Sequence, residues 1–390
     1  MGSGVRSVAL WPVDARLSAY ADAVWEMRSV QRISIASPTE WRDLLETMPA
    51  PHFLQTWEWG MCKARYGWQV ARYVWYTGNG NTTTPCALAS VLTRRMAGGL
   101  TGVMYVPKGP LFQDETNAVL REAVLSDLET MARRARVLFV KIDPDIQADT
   151  PTGEALVTQL RARGWHPSEE QIQFRNTMEI DLRPLPDNLL AGMKSKWRYN
   201  IRLAMRKGVV VRAGGVDDLP ILYRLYAETA LRDGFVIRPE TYYRYVWQTF
   251  IAAGMTVPLI AEVNEQPVAM VILFRCGQRA WYVYGASANR HREKMPNHLL
   301  QWEAIQWARE QGCTIYDLWG APDRPDESDP MWGVYRFKQG FGARLVSHIG
   351  AWDFPTSRHG YWLYTRVMPA VLAGMRRLYW RRAREANSAS

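Results

Sequence analysis

The chain changes hydrophobic period many times, and each change marks an element. Residues 32–35 alternate polar and apolar and read as a strand. Residues 38–48 follow with helical spacing behind Ser37, a residue type that caps helix N-termini. Residues 53–66 are helix-like, with Trp57, Met61 and Ala64 on one face. Residues 68–76 and 87–93 read as paired strands, 116–136 as a long helix, and 137–142 as a buried strand ending at Asp143-Pro144. A helix over 151–163 and a strand over 172–182 close the first half. The second half opens with a helix and a strand at 209–212, then helices near 217–232 and 239–253. Residues 257–263 and 268–274 flank the turn Asn264-Glu265-Gln266-Pro267 as a hairpin, and 280–284 adds a third strand. A helix over 296–310, a strand over 314–318 and a last strand over 345–352 complete it. A helix over 358–384, kinked at Pro369, ends the chain. There is no sequence repeat, yet both halves run helices, hairpin, helix, strand. The pattern predicts a mixed α/β protein of two related domains with a boundary near 180.

The first helix of the second half stands out. In MKSKWRYNIRLAMRKG, residues 193–208, Lys194, Arg198, Arg202 and Arg206 fall four apart, so four cations share one face. Leu190, Met193, Trp197, Ile201 and Ala204 form an apolar stripe beside them, and Gly208 is a suitable stop. Like charges four apart repel by a few tenths of a kcal/mol, roughly, per pair. Such a face either meets an anion or splays into water, and the spacing leaves both open.

Composition narrows the classes. The 390 residues are 47% hydrophobic and 22% charged, a globular balance. The net charge of +10 favours an anionic partner: nucleic acid, a phosphorylated substrate or anionic lipid. The eighteen tryptophans are enough for some to line a large site. Cysteines 62, 86, 276 and 313 are far apart, which argues against a disulfide framework or a zinc site. The six scattered histidines point to no metal and no cofactor. No signal peptide and no membrane span is legible, so a cytoplasmic monomer is expected. The seven arginines and single glutamate from 358 onward supply +6 of the charge.

Seven motifs in order resemble the Fem family of peptidoglycan interpeptide-bridge aminoacyltransferases. They are TWEWGMCKARYGW (56–68), VKIDP (140–144), the basic helix with its Lys-x-Lys-Trp-Arg-Tyr-Asn-Ile-Arg core (194–202), GFVIRPETYY (234–243), WYVYGAS (281–287), YDLWG (316–320) and YRFKQGFG (335–342). Together they span about 30 to 353. The resemblance implies an α+β fold of two GNAT-like domains in tandem, 30–180 and 181–353, with the helix 354–385 returning to the first, and of the compact type, since no heptads for a coiled-coil arm follow the basic helix. It implies transfer of an amino acid from aminoacyl-tRNA to the stem-peptide amine of UDP-MurNAc-pentapeptide or lipid II.

Aminolysis of an ester develops an oxyanion, which a fixed donor stabilises by roughly 3–4 kcal/mol. The resemblance gives that role to Lys338, following Phe337. It makes Lys63 and Arg238 the binders of the acceptor diphosphate, with Tyr242 and Tyr243 beside Arg238. Asp143, at the end of a buried strand, is the candidate base, although it could instead cap a turn, and Asp317 is a weaker one. Tyr282 and Tyr284 alternate on a strand and so should share a face, towards ligand or core. The row Lys194, Arg198, Arg202, Arg206 is a candidate tRNA track. Trp362, Tyr364, Tyr379 and Trp380 among arginines suit a peripheral contact with the inner face of the plasma membrane, or packing on the first domain.

Three rivals remain at this stage. An acyl-CoA N-acyltransferase on the same fold needs a glycine-containing pyrophosphate loop, and 289–295 has no glycine. An RNA-binding module would not need the Phe337-Lys338 or Arg238-Tyr242 segments. A related transferase acting on another metabolite stays open.

Overall fold

A computed structural model describes residues 30–78 and 84–367. The first half contains β1 (Gln31–Ser34), α1 (Pro38–Glu46), α2 (Trp57–Arg65), β2 (Gln69–Thr77), β3 (Thr84–Met96), β4 (Thr101–Val106), β5 (Leu111–Phe112), α3 (Ala118–Arg134), β6 (Phe139–Ile142), α4 (Pro151–Ala162) and β7 (His166–Pro167). The second contains β8 (Asn176–Asp181), α5 (Pro186–Gly192), α6 (Ser195–Arg206), β9 (Val209–Ala213), α7 (Leu219–Asp233), α8 (Glu240–Ala252), β10 (Thr256–Val263), β11 (Gln266–Cys276), β12 (Arg279–Ser287), α9 (Pro296–Glu310), β13 (Ile315–Gly320), α10 (Trp332–Gln339) and β14 (Arg344–Ser347). Then come β15 (Trp352–Pro355) and α11 (Arg358–Trp362).

Local chemistry sets the ends. The Ser37 hydroxyl accepts from the Glu40 N–H at 3.3 Å, and the Thr56 hydroxyl accepts from the Trp59 N–H at 3.3 Å, so α1 and α2 start there. Gly234 stops α7 in left-handed backbone, φ 75°. The turn after β10 needs only Asn264 and Glu265, both at positive φ, which gives a tight two-residue hairpin.

The strands form two sheets. The first has the order β1-β2-β3-β4-β6-β15-β7, with β5 on β3, and the second β14-β8-β13-β12-β11-β10-β9. Each is antiparallel except for one central parallel pair, β4 with β6 and β12 with β13. Two expectations need correction. The strand expected to close the first half is β8, and it pairs with β13 and β14 in the second sheet. Its apolar Met178 and Ile180 have their core partners there, so the chain crosses before residue 176 and not near 180. The single strand expected at 345–352 is two: β14 ends in the second sheet, and β15 returns to pair with β6 and β7 in the first. The helix expected over 358–384 is described only to Val367, and Pro369, Tyr379 and Trp380 lie outside the described residues.

The halves are joined by an apolar core. Trp41, Phe53 and Trp59 of the first pack with Trp247, Phe250, Phe274 and Trp281 of the second. The Phe53 ring lies 5.0 Å from Phe274 and 5.2 Å from Trp281. Aromatic side chains bury about 150–250 Å² each, so this junction resists separation. It also fixes how the functional side chains of the two halves face one another.

Candidate active site

Lys338 sits on α10, a helix that local preference does not announce, because Trp332, Val334, Tyr335 and Phe337 all favour strands. The helix forms behind Asp329, whose carboxylate accepts from the Met331 N–H at 2.8 Å and whose carbonyl accepts from the Trp332 N–H at 2.9 Å. The Lys338 side chain points inward and is 5% exposed. Its ammonium donates to the carbonyls of Trp319 at 3.1 Å and Gly320 at 2.5 Å. Burial pulls its pKa down to about 7, against the attraction of Asp317. Lys338 and Phe337 border a cavity of about 320 Å³ with Tyr282, Asn297, Gln301 and Thr229. The backbone comes close to it at Gly285, where a Cβ would strike the Tyr282 ring.

Tyr282 and Tyr284 do not share a face. The register of β12 against β11 shifts between Ile272 and Leu273, which leaves Val283 as the extra residue of a bulge. Tyr282 therefore packs with the second-domain core, and Tyr284 turns to the aromatic junction. There its ring lies 5.8 Å from Tyr243 and 5.6 Å from Trp247.

The same junction brings Lys63 and Arg238 together. Lys63 lies over the Trp59 ring at 4.3 Å and Arg238 over Tyr242 at 4.8 Å. Tyr66, just beyond α2, packs against Tyr242 with the rings tilted at 56° and 4.9 Å apart, and its hydroxyl donates to the Thr241 carbonyl at 3.3 Å. The Arg238 N–H donates to the Tyr243 hydroxyl at 3.3 Å. Burial first, and then the nearby Arg238 charge, hold the Lys63 pKa at about 8. Among the described residues neither cation has an ion-pair partner. Two neighbouring cations without a carboxylate are an arrangement that suits an anion.

Asp143 is buried at the end of β6. Its carboxylate accepts from the Tyr105 hydroxyl at 2.7 Å and from the Lys108 N–H. Burial raises its pKa to about 6, despite the Lys108 charge. Lys108 donates to Asp145 at 3.0 Å and to the Phe174 carbonyl at 3.4 Å, and the Phe174 ring covers Gly320. Asp143 and Lys338 thus stand on opposite sides of the domain junction, connected through Lys108, Phe174 and Gly320. Sequence reasoning missed Tyr105, Lys108, Asp145 and His348, whose Nε2 lies 3.3 Å from the Asp145 carboxylate. Two of these, Tyr105 and Lys108, lie on β4 and the turn after it, where a buried central strand carries no alternation to mark it.

The basic row is not one free face. Lys194 precedes α6 in extended backbone, because α5 and α6 are separate helices broken at Met193. Its ammonium donates to Gln339 at 2.6 Å, and its N–H to the Gly340 carbonyl at 2.9 Å. Arg198 donates to the carbonyls of Ala191, at 3.0 Å, and Met193 at the end of α5. Only Arg202 and Arg206 are open, with Arg206 5.8 Å from the Tyr199 ring. The apolar stripe packs as its spacing requires: Met193, Ile201 and Ala204 are buried, and the Trp197 indole donates to the Phe337 carbonyl at 3.0 Å. Gly340 is small because a Cβ there would meet the Trp197 ring. The start of α6 therefore clamps the end of the helix that carries Lys338.

A model of the FemAB family matches residues 36–266 and 259–368. The chain belongs to the FemAB family. Similar members include the lipid II:glycine glycyltransferase of Staphylococcus epidermidis, 24% identical over 395 residues, covering 84% of this chain and 93% of the relative. The enzyme of the same description from Staphylococcus aureus strain USA300 is 24% identical over 400 residues, with the same coverage. The crystal structure of FemX matches with a TM-score of 0.78 at 22% identity, over 86% of this chain and all of that one. A tandem GNAT protein from the clavulanic acid pathway matches with a TM-score of 0.50 at 15% identity, over 84% of this chain and 99% of that one. The FemAB chain is thus an α+β protein of two GNAT-like domains, each built on one of the two sheets.

Proposed function

We propose that this chain moves an amino acid from aminoacyl-tRNA to the stem-peptide amine of a peptidoglycan precursor, lipid II or UDP-MurNAc-pentapeptide, to build the interpeptide bridge. The observation that carries this reading is the meeting of Lys63 and Arg238, one from each domain, without a carboxylate partner. Both acceptors carry a diphosphate, and such a pair suits one. Family relatives described as lipid II:glycine glycyltransferases support the reaction class.

In this reading the acceptor amine attacks the aminoacyl ester beside the cavity bordered by Lys338. The ammonium there stabilises the oxyanion, and its two carbonyl partners fix its position before reaction. Phe337 packs against His298 at 5.4 Å and Phe341 at 5.1 Å, which steadies the helix that bears Lys338. Both Asp143 oxygens are engaged, and neither Asp143 nor Tyr105 borders the Lys338 cavity, so a role as base requires the Tyr105 hydroxyl to relay the amine proton across the junction. Asp143→Asn should then remove the acid limb of the pH–rate profile, and an unchanged limb would strip Asp143 of that role.

The donor reading also draws on the linker between β12 and α9. It contains no glycine, and His291 and Met295 occupy its left-handed positions, φ 59° and 57°. A coenzyme A pyrophosphate asks for close backbone approach there, which bulky side chains oppose. Arg202 and Arg206 are the exposed cations offered to tRNA.

Among the described residues no helix is long and apolar enough to cross a membrane. Trp362 and Leu363, 60% and 54% exposed, sit between Arg358 and Arg366 and offer a peripheral contact with a membrane bearing the lipid-linked acceptor. The donor is tested with labelled amino acid on tRNA. Label should pass to the precursor from intact charged tRNA and not after ribonuclease treatment. Equal transfer from an acyl-CoA thioester would favour the ordinary N-acyltransferase.

A further inference from the structure

Strand β13 is irregular at the end that faces Lys338. Its pairing with β8 slips between Asp317 and Gly320. Within the slip, Trp319 takes φ 63°. Glycine enters that region freely, but a residue with a Cβ does not, so the surroundings must hold it.

The hold comes from Asp317, which is 2% exposed. Its Oδ1 accepts from the Trp319 N–H at 2.8 Å and from the Thr177 hydroxyl. Its Oδ2 accepts from Arg279 at 3.2 Å, and Arg279 also donates to Glu179 at 2.6 Å. Both carboxylate oxygens are occupied, so Asp317 is poorly placed to act as a base. The carbonyls of the bent segment, Trp319 and Gly320, are the two that receive the Lys338 ammonium.

We propose that Asp317 is the positioning residue for Lys338: by pinning Trp319 in left-handed backbone, it keeps two carbonyls aimed at the ammonium and holds it at the cavity. The proposal rests on the role given to Lys338 above, but its geometry does not depend on which substrate enters. The charged and titratable groups around the pair are Asp317 on β13, Arg232 and Asp233 on α7, Tyr282 on β12, and Glu179 and Arg279 behind Asp317. Lys108, Asp145 and His348 face Asp317 from the other side of the junction.

Variants separate the pin from the charge. Asp317→Asn keeps an oxygen for the Trp319 N–H, while Asp317→Ala removes it. Asp317→Ala should lower kcat about 100-fold with the acceptor KM nearly unchanged, as expected for a misplaced group. Asp317→Asn should stay within roughly tenfold of wild type. Adding Trp319→Gly to Asp317→Ala should recover at least about tenfold, because glycine needs no pin, whereas Trp319→Ala should recover nothing.

A second readout requires no transferase activity. Trace acetylation with acetic anhydride across a pH series, read by mass spectrometry, gives the titration midpoint of Lys338, about 7 in the wild type. If Asp317→Ala frees the lysine from its carbonyls, the amine meets water and the midpoint climbs. Adding Trp319→Gly should bring it back. A midpoint in Asp317→Ala that Trp319→Gly does not move back would mean that Asp317 acts only through charge, and the proposal falls. It falls equally if Asn and Ala variants lose the same activity and glycine rescues neither. A climbing midpoint that glycine reverses, in a protein that transfers nothing, would keep the positioning role and sink the functional reading. If Asp317→Ala does not fold by circular dichroism, Trp319→Gly against Trp319→Ala in the wild type asks the same question. Both lose the ring, only alanine is strained, and equal activity and midpoints would overturn the proposal.

Discussion

Lys338 is nearly dry, and its ammonium is matched by two carbonyls in place of water. Its pKa of about 7 lies below the unfolded value of 10.5. Between these values the unfolded chain binds the extra proton, so this group makes stability rise with pH across that window. The unfolding free energy of the wild type minus that of Lys338→Met should therefore grow from pH 7 to about pH 10, as measured by urea denaturation. A difference flat with pH would show that burial does not depress the pKa of this lysine. The same variant should lose at least about 100-fold in turnover while keeping acceptor affinity. At this scale the sequence was partly legible. Lys63, Arg238 and Lys338 stood in motifs, and the structure brings the first two near each other and buries the third against two carbonyls. The faces of Tyr282 and Tyr284 were not legible, because one bulge residue, Val283, inverts the alternation.

Among elements, α6 is the instructive case. Its apolar stripe was readable from spacing, but the use of its cations was not. Lys194 and Arg198 are spent on Gln339 and on the carbonyls ending α5, contacts that come from other segments. Arg202 and Arg206 remain for an anionic partner. Arg202→Glu with Arg206→Glu should weaken charged-tRNA binding and cut the log–log salt slope by about 1–2, with the fold intact by circular dichroism. Unchanged affinity and slope would leave these two as solvated surface. β4 and α10 escaped the sequence for opposite reasons. β4 is buried on both faces and has no alternation, and its Gly102 is required where a Cβ would strike the Arg94 carbonyl. α10 is made of strand-favouring residues and depends on the Asp329 turn that leads into it and on the Trp197 clamp.

At the scale of the whole molecule, the two-domain pattern was visible in the repeated order of elements. The shared aromatic core was not, since pattern cannot say which tryptophans meet. That core makes the Lys63–Arg238 site a property of both domains at once. Phe53→Ala should cost about 3–5 kcal/mol and lower the urea midpoint. It should leave one cooperative transition in which the signals of both domains are lost together, whereas two separated transitions would mean that the junction does not couple them. The same coupling underlies the functional proposal, in which an acceptor held at the junction meets a donor beside Lys338. The most direct test is the mass of the acceptor after incubation of the full chain with charged tRNA and either UDP-MurNAc-pentapeptide or lipid II. The account predicts an acceptor heavier by one aminoacyl residue with at least one charged tRNA, and no gain with Lys338→Met. An acceptor of unchanged mass with every charged tRNA would contradict it.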